Sequence, residues 1–238
     1  MATSTEQINT LIASNTALME YFQGARDQID ADLDAAALRV GDTNRLIYVD
    51  QTNGDDANDG TVDAPVQTLT RAKNMSVYNG VLDIRLKSDY HHDKTLIFRN
   101  GQINIRSDTG GVKRKFTSAP VSVDTATSTP SLSNGTGYSM FLFKDIELEM
   151  CTAGAGVVSK RLLSCTGLTS VMMIDCDITL PAGSDQCLMS PVNNHGMGLG
   201  IQSTTYPAEM PGRWIEGIAA ATDPNTVRNL AFTNLTSL

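Results

Sequence analysis

Aromatic residues are scarce in this 238-residue chain: they make up 5% of it, and Trp214 is the single tryptophan. A long glycan-cleaving groove uses several such rings as platforms, because their flat apolar faces bury sugar surface. The scarcity therefore weighs against a polysaccharide-degrading enzyme, and Trp214 reads as a packing residue. Charge is also sparse at 18%, with a net value of −8. A nucleic-acid partner is excluded on that ground, since a phosphate-binding surface needs a basic stripe. The one basic run, Lys113-Arg114-Lys115, reads as a solvated loop.

No stretch approaches the roughly 20 apolar residues that cross a bilayer. The start, Met1-Ala2-Thr3-Ser4-Thr5-Glu6, lacks the basic and apolar segments of a signal peptide. No membrane insertion is expected, and the chain is expected to be made in the cytoplasm. The four cysteines, Cys151, Cys165, Cys176 and Cys187, form no C-x-x-C pair. They are expected to be reduced thiols buried as small apolar groups, without a zinc site or a disulfide framework.

Apolar residues amount to 41% of the chain, enough for a real core, and Ser, Thr, Asn, Asp and Gly are abundant, as in proteins built of short strands and turns. Two regimes follow one another. From Ile8 onward, Ile8, Leu11, Leu18, Phe22, Ala25 and Ile29 fall on alternating three- and four-residue steps, with Asn15 at the missing seam position. That is a heptad register, and one polar Asn in a seam fixes register and oligomer state. Ile8, Leu11, Asn15, Leu18, Phe22 and Ile29 are thus the candidate oligomerisation residues. Leu33 comes four residues after Ile29, a stutter before the alanines 35–37 and Val40. A single amphipathic helix packed on its own domain is the alternative.

Gly41-Asp42 ends the helical signal, so residues 1–42 are predicted as an attachment stem and 43–238 as the body. Strands are predicted at 46–50, 81–87, 95–98, 102–106, 120–123, 139–150, 157–163, 171–180 and 230–233. Several share one shape, an alternating apolar run broken at a polar bend and resumed: Phe141-Leu142-Phe143-Lys144-Asp145 continues into Ile146, Leu148 and Met150. Loosely repeated strand-bend-strand units read as stacked solenoid coils, with a β-sandwich as the alternative.

The segment Ile47-Tyr48-Val49-Asp50 with its Asn/Asp/Gly turn to Gly60, followed by Ala64-Pro65-Val66-Gln67-Thr68-Leu69, resembles the entry to right-handed parallel β-helices, a motif shared by phage tail fibres and tailspikes, polysaccharide-active enzymes and bacterial surface proteins. Residues 68–76 would form the short capping helix, with Leu69, Ala72 and Met75 on one face. The preceding segment, Asn15-Thr16-Ala17-Leu18 through Asp34-Ala35-Ala36-Ala37, is similar to the stems that join such fibres to a tail. The resemblance implies a mainly β fold, a right-handed parallel β-helix behind a trimeric N-terminal coiled-coil stem. It also implies a structural virion protein that acts in host attachment within the phage tail. Its partners would be two further copies of itself and other tail or baseplate proteins, with a host surface glycan as an open candidate. A glycan depolymerase on the same scaffold, and a capsid-surface fibre or bacterial adhesin, are the alternatives.

Chemical signatures are few. The turn from Asp50 to Gly60 places Gly60 correctly for a calcium loop started at Asp55, but Ala57 and Val66 fall where ligands are needed. Its carboxylates and amides are expected to bond their own backbone. Gly196-Met197-Gly198-Leu199-Gly200 lacks a dinucleotide fingerprint and reads as a flexible loop. His91, His92 and His195 show no metal-ligand spacing. The strongest enzymatic constellation is two outward-facing carboxylate pairs, Glu147/Glu149 and Asp175/Asp177, expected on neighbouring coils, and solvated strand faces are the simpler reading. No catalytic, metal or cofactor site is assigned.

Overall fold

In a computed structural model, the described residues are 3–123, 126–135, 137–152, 156–192 and 195–238; the side chains of 31, 33–42 and 121–127 lie outside the description. The expected seam shift at Leu33, the alanines 35–37 and Val40 therefore falls outside the described side chains. The chain divides into two units, Met1–Asp42 and Thr43–Leu238.

The first unit is one helix, α1 (Ser4–Asp42), of 39 residues, hence about 58 Å long at 1.5 Å per residue. Its start is a capping box. The Glu6 N–H donates to Thr3 Oγ1 at 3.4 Å, and the Thr3 N–H donates to Glu6 Oε2 at 2.6 Å, so two orphan donors of the first turn are satisfied reciprocally. The backbone bond from Thr3, and then its hydroxyl, hold the Glu6 carboxyl below its ordinary pKa. Further along, Gln23 Nε2 donates to Asp27 Oδ1 and Gln28 Nε2 to Asp32 Oδ1, each at 3.0 Å, the one-turn spacing that supports an exposed helix.

The second unit begins with β1 (Asn44–Val49) and, after a long turn, α2 (Leu69–Asn74). Four passes follow. The first is β2 (Val81–Leu86), β3 (Tyr90–His92) and β4 (Leu96–Phe98). The second is β5 (Gln102–Ser107), β6 (Arg114–Ser118), the hairpin β7 (Val121–Val123) and β8 (Ala126–Ser128), and β9 (Leu132–Asn134). The third is β10 (Tyr138–Lys144), β11 (Ile146–Glu149), β12 (Val157–Ser159) and β13 (Arg161–Cys165). The fourth is β14 (Leu168–Ile174), β15 (Asp177–Thr179) and β16 (Cys187–Pro191). Two further strands, β17 (Met197–Gln202) and β18 (Leu230–Thr233), complete the chain.

Strands of successive passes pair in parallel. The sheets are a seven-stranded one (β1-β2-β5-β10-β14-β17-β18), two four-stranded ones (β15-β11-β6-β3 and β16-β13-β9-β4) and a three-stranded one (β12-β8-β7). Because side chains alternate across a strand, the parallel register stacks like on like. Ile47, Ile84, Ile105, Phe143, Met173 and Ile201 form one buried row; Leu96, Leu132, Leu163 and Met189 form another. Each such side chain contributes about 1.5–3 kcal/mol by leaving water.

The expected fold, a mainly β right-handed parallel β-helix on a trimeric coiled-coil stem, is corrected by these elements. The chain is α/β, with parallel sheets and two helices, one of them the long N-terminal one. The described residues form no closed solenoid. Strands recur on all three larger sheets in four passes only. Before them the chain runs through α2; after them the faces are marked by isolated bridges, Asp177 to Thr205 and Met189 to Ile215. The pair β7–β8 is antiparallel. Oligomeric state is not fixed by the fold of a single chain.

Local chemistry explains α2. Thr68 caps it by accepting from the Arg71 N–H at 3.1 Å, Leu69 and Ala72 are buried, and Met75 packs on the same core. The turn before it is held by its carboxylates. Asp50 Oδ1 accepts from the N–H groups of Thr52 and Asn53 at 3.1 Å each, and Asp56 Oδ1 from those of Gln67 and Thr68 at 3.0 and 2.9 Å. Burial alone would raise the Asp50 pKa, but the bonds from Asn53, Ser88 and Thr52 outweigh it and hold the carboxyl below its usual range.

Two loop readings are overturned. Gly196–Gly200 is not a flexible loop: 197–202 is strand β17, with Met197, Leu199 and Ile201 buried and Gly198 lying under the Phe232 ring. The basic run is not a free loop either. Arg114 and Lys115 open β6, and Arg114 Nη2 lies 2.9 Å from Asp108 Oδ1.

Candidate functional site

The carboxylates singled out from sequence fall on adjacent strands. In register, Lys115 of β6 lies beside Glu147 of β11, which lies beside Asp177 of β15. Lys115 Nζ is 3.3 Å from Glu147 Oε1 and 2.9 Å from Glu149 Oε2, while Lys113 Nζ is 2.7 Å from Asp177 Oδ1. The Thr205 hydroxyl donates to Asp177 as well. Asp175 does not join them, because it sits at the bend before β15 with φ 53°.

The electrostatics of this row oppose acid catalysis. A glycosidase needs one carboxyl that holds its proton near neutrality. Here the bond from Lys113, followed by that from Thr205, holds the Asp177 carboxyl below its ordinary value. The bonds to Glu149 and then Glu147 raise the Lys115 pKa, so the lysine stays charged between them. The arrangement is a partly exposed ion-pair ladder across three strands, of the kind that keeps a sheet surface soluble and in register.

Nucleophilic chemistry finds no support in the thiols. Burial pushes Cys165 up to about 12 and Cys176 up to about 11, and it raises Cys151 and Cys187 as well, so the thiolate is disfavoured at every cysteine. All four are free. His92 is buried against Phe116, with ring centroids 5.8 Å apart, and burial pushes its pKa down to about 4. His91 is exposed, with Nδ1 2.9 Å from Thr117 Oγ1. Trp214 is buried and meets Tyr206 edge-on at 5.0 Å. Among the described residues no group of three or more His, Cys, Asp or Glu is placed to hold a metal ion.

The other candidate is the face of α1. Ile8, Leu11, Leu18, Phe22 and Ile29 are between 51 and 62% exposed, and Asn15 on the same face is exposed too. The helix also exposes Ile12 and Met19, which sequence reasoning left off the seam. Each follows a seam residue by one position, at Leu11 and Leu18, which widens the stripe over its first two heptads, while Arg26 takes the corresponding place after Ala25. That width suits a helix packed in a bundle. The signal was present in the i, i+4 spacing Ile8–Ile12 and Asn15–Met19.

No protein-family model, no curated protein and no solved structure matches the chain. Among the described residues no helix is long and apolar enough to cross a membrane.

Proposed function

We propose that the chain is a structural virion subunit of the phage tail fibre or tailspike kind, joined through its N-terminal helix to two further copies and to tail or baseplate proteins. The observation that carries this reading is the exposed apolar stripe of α1, with Asn15 set among Ile8, Leu18, Phe22 and Ile29. A lone amphipathic helix leaves that stripe in water; association removes it at about 25 cal/mol per Å2 of apolar surface. The buried Asn then selects one register, since a misaligned copy leaves its amide unpaired. The second unit would serve as a rigid body presented toward a peripheral element or the host surface.

Leu18→Asp tests the reading by placing a charge in the stripe. The variant is expected to lose association in light scattering while keeping the strand signal of the second unit. Association as strong as that of the unmodified chain would sink it. The hydrolase alternative is disfavoured by the ion pairs on Glu147, Glu149 and Asp177. The unmodified chain is expected to leave a panel of capsule polysaccharides intact, and cleavage abolished by Glu147→Gln would reinstate that alternative.

A further inference from the structure

Beyond the C-terminal end of α2 the chain passes beside the end of β4 and leaves a cleft of ≈ 410 Å3. Its polar floor is closed on itself. Asn100, 3% exposed, donates from Nδ2 to Val77 O at 2.8 Å and accepts from Ser76 Oγ at 3.1 Å. Those bonds tie 76–77 to the end of the strand and fix the cleft's shape.

Its walls are open and of two kinds. Tyr78, Ile97 and Val77 are apolar and exposed by 59, 52 and 37%. Lys73 and Arg99 are cationic, and the Arg99 guanidinium carbon lies 5.7 Å from the Tyr78 ring centroid. Neither cation has a carboxylate partner among the described residues. Elsewhere on this unit several cations of the sheet faces are paired: Arg85 and Arg106 with Asp83, Arg114 with Asp108, and Lys113 and Lys115 with the row already described. In a chain of net charge −8, this cleft sets two cations without a carboxylate partner beside an apolar wall.

We propose that this cleft binds an acidic saccharide unit, a sugar ring bearing a carboxylate. The carboxylate matches the guanidinium fork of Arg99 and the ammonium of Lys73. The C–H face of the ring matches the flat apolar surface of Tyr78, flanked by Ile97 and Val77. A neutral sugar offers the face without the charge, and inorganic phosphate offers the charge without the face. Every residue of the cleft belongs to the second unit, so the proposal does not depend on the assembly of α1.

The test is ligand-observed NMR titration of the full chain with tetramers of galacturonate, of mannuronate and of a glucuronate-containing repeat, beside maltotetraose and inorganic phosphate. At least one acidic tetramer is expected to bind, with maltotetraose weaker by about tenfold or more and binding reduced as salt rises. Arg99→Gln and Lys73→Gln are each expected to weaken it about tenfold, the scale of one charge-assisted hydrogen bond, and Tyr78→Ala to do the same. All three side chains lie at the surface, so unchanged thermal unfolding verifies the fold of each variant. No binding by any acidic tetramer, phosphate binding as tight as theirs, or full affinity in Arg99→Gln would overturn the proposal.

Discussion

Asp145 and Asp175 hold the same left-handed backbone conformation, φ 53°, at equivalent corners of successive passes. The Asp145 N–H donates to Ile174 O at 3.2 Å, and the Asp175 N–H donates to Gln202 O at 3.1 Å. Each corner turns the chain out of the seven-stranded sheet into the neighbouring four-stranded one. Ser203, at φ 47°, follows Gln202 and repeats the geometry a third time. Asp tolerates this region better than most residues, because a short polar side chain bonds locally and avoids the Cβ clash that β-branching worsens.

The corner predicts a graded response at Asp145. Asp145→Gly relieves the left-handed strain and is expected to leave stability within about 1 kcal/mol, its gain offset by backbone entropy. Asp145→Val puts a β-branched residue there and is expected to cost about 1–3 kcal/mol. Urea unfolding midpoints of the two variants measure the difference.

His92 predicts the acid response. Its folded pKa is pushed from 6.5 down to about 4 by burial, so the unfolded chain takes up the proton first. Stability then falls as pH drops from about 6.5 to 4, by roughly 3 kcal/mol over the full window. His92→Phe, beside Phe116, is expected to flatten that part of the stability curve. Equal slopes in variant and parent between pH 6.5 and 4 would refute this assignment.

Two glycines separate a rigid obstacle from a movable one. A Cβ on Gly54 would lie 2.5 Å from the carbonyl oxygens of both Asp50 and Val66, whereas on Gly198 it would lie 2.2 Å from the half-exposed Phe232 ring. Gly54→Ala is expected to cost about 1–3 kcal/mol, since backbone must shift. Gly198→Ala is expected to cost less and to lower amide hydrogen-exchange protection within β18, because the ring swings outward.

The strands with clean alternation were legible in sequence. The run 81–87 covers β2, 102–106 covers all of β5 but Ser107, and 230–233 is β18. The run 139–150 was read as one strand with a polar bend, and the bend at Asp145 divides it into β10 and β11. Strands built of other residues were not legible. In β17 the places between Met197, Leu199 and Ile201 are glycines, so 196–200 reads from sequence as a loop, and in β6 the charges of Arg114 and Lys115 hide the buried Phe116. Repeated bends say that passes stack but not whether every face of every pass carries a strand, which is why the sequence points to a closed β-helix where the chain is α/β.

The candidate sites divide along the same line. Glu147 and Asp177 share outward strand places in the sequence, but their partners Lys115 and Lys113 lie 32 and 64 residues earlier, a pairing that only register reveals. Likewise Lys73, Tyr78 and Arg99 share one cleft with no spacing rule to connect them.

The most direct test of the central claim is the oligomeric mass of the full chain, measured beside Leu18→Asp and beside a chain beginning at Thr43, the first residue of the second unit. The account predicts a trimer for the full chain and monomers for the other two. A full chain that is monomeric at every concentration examined would contradict it.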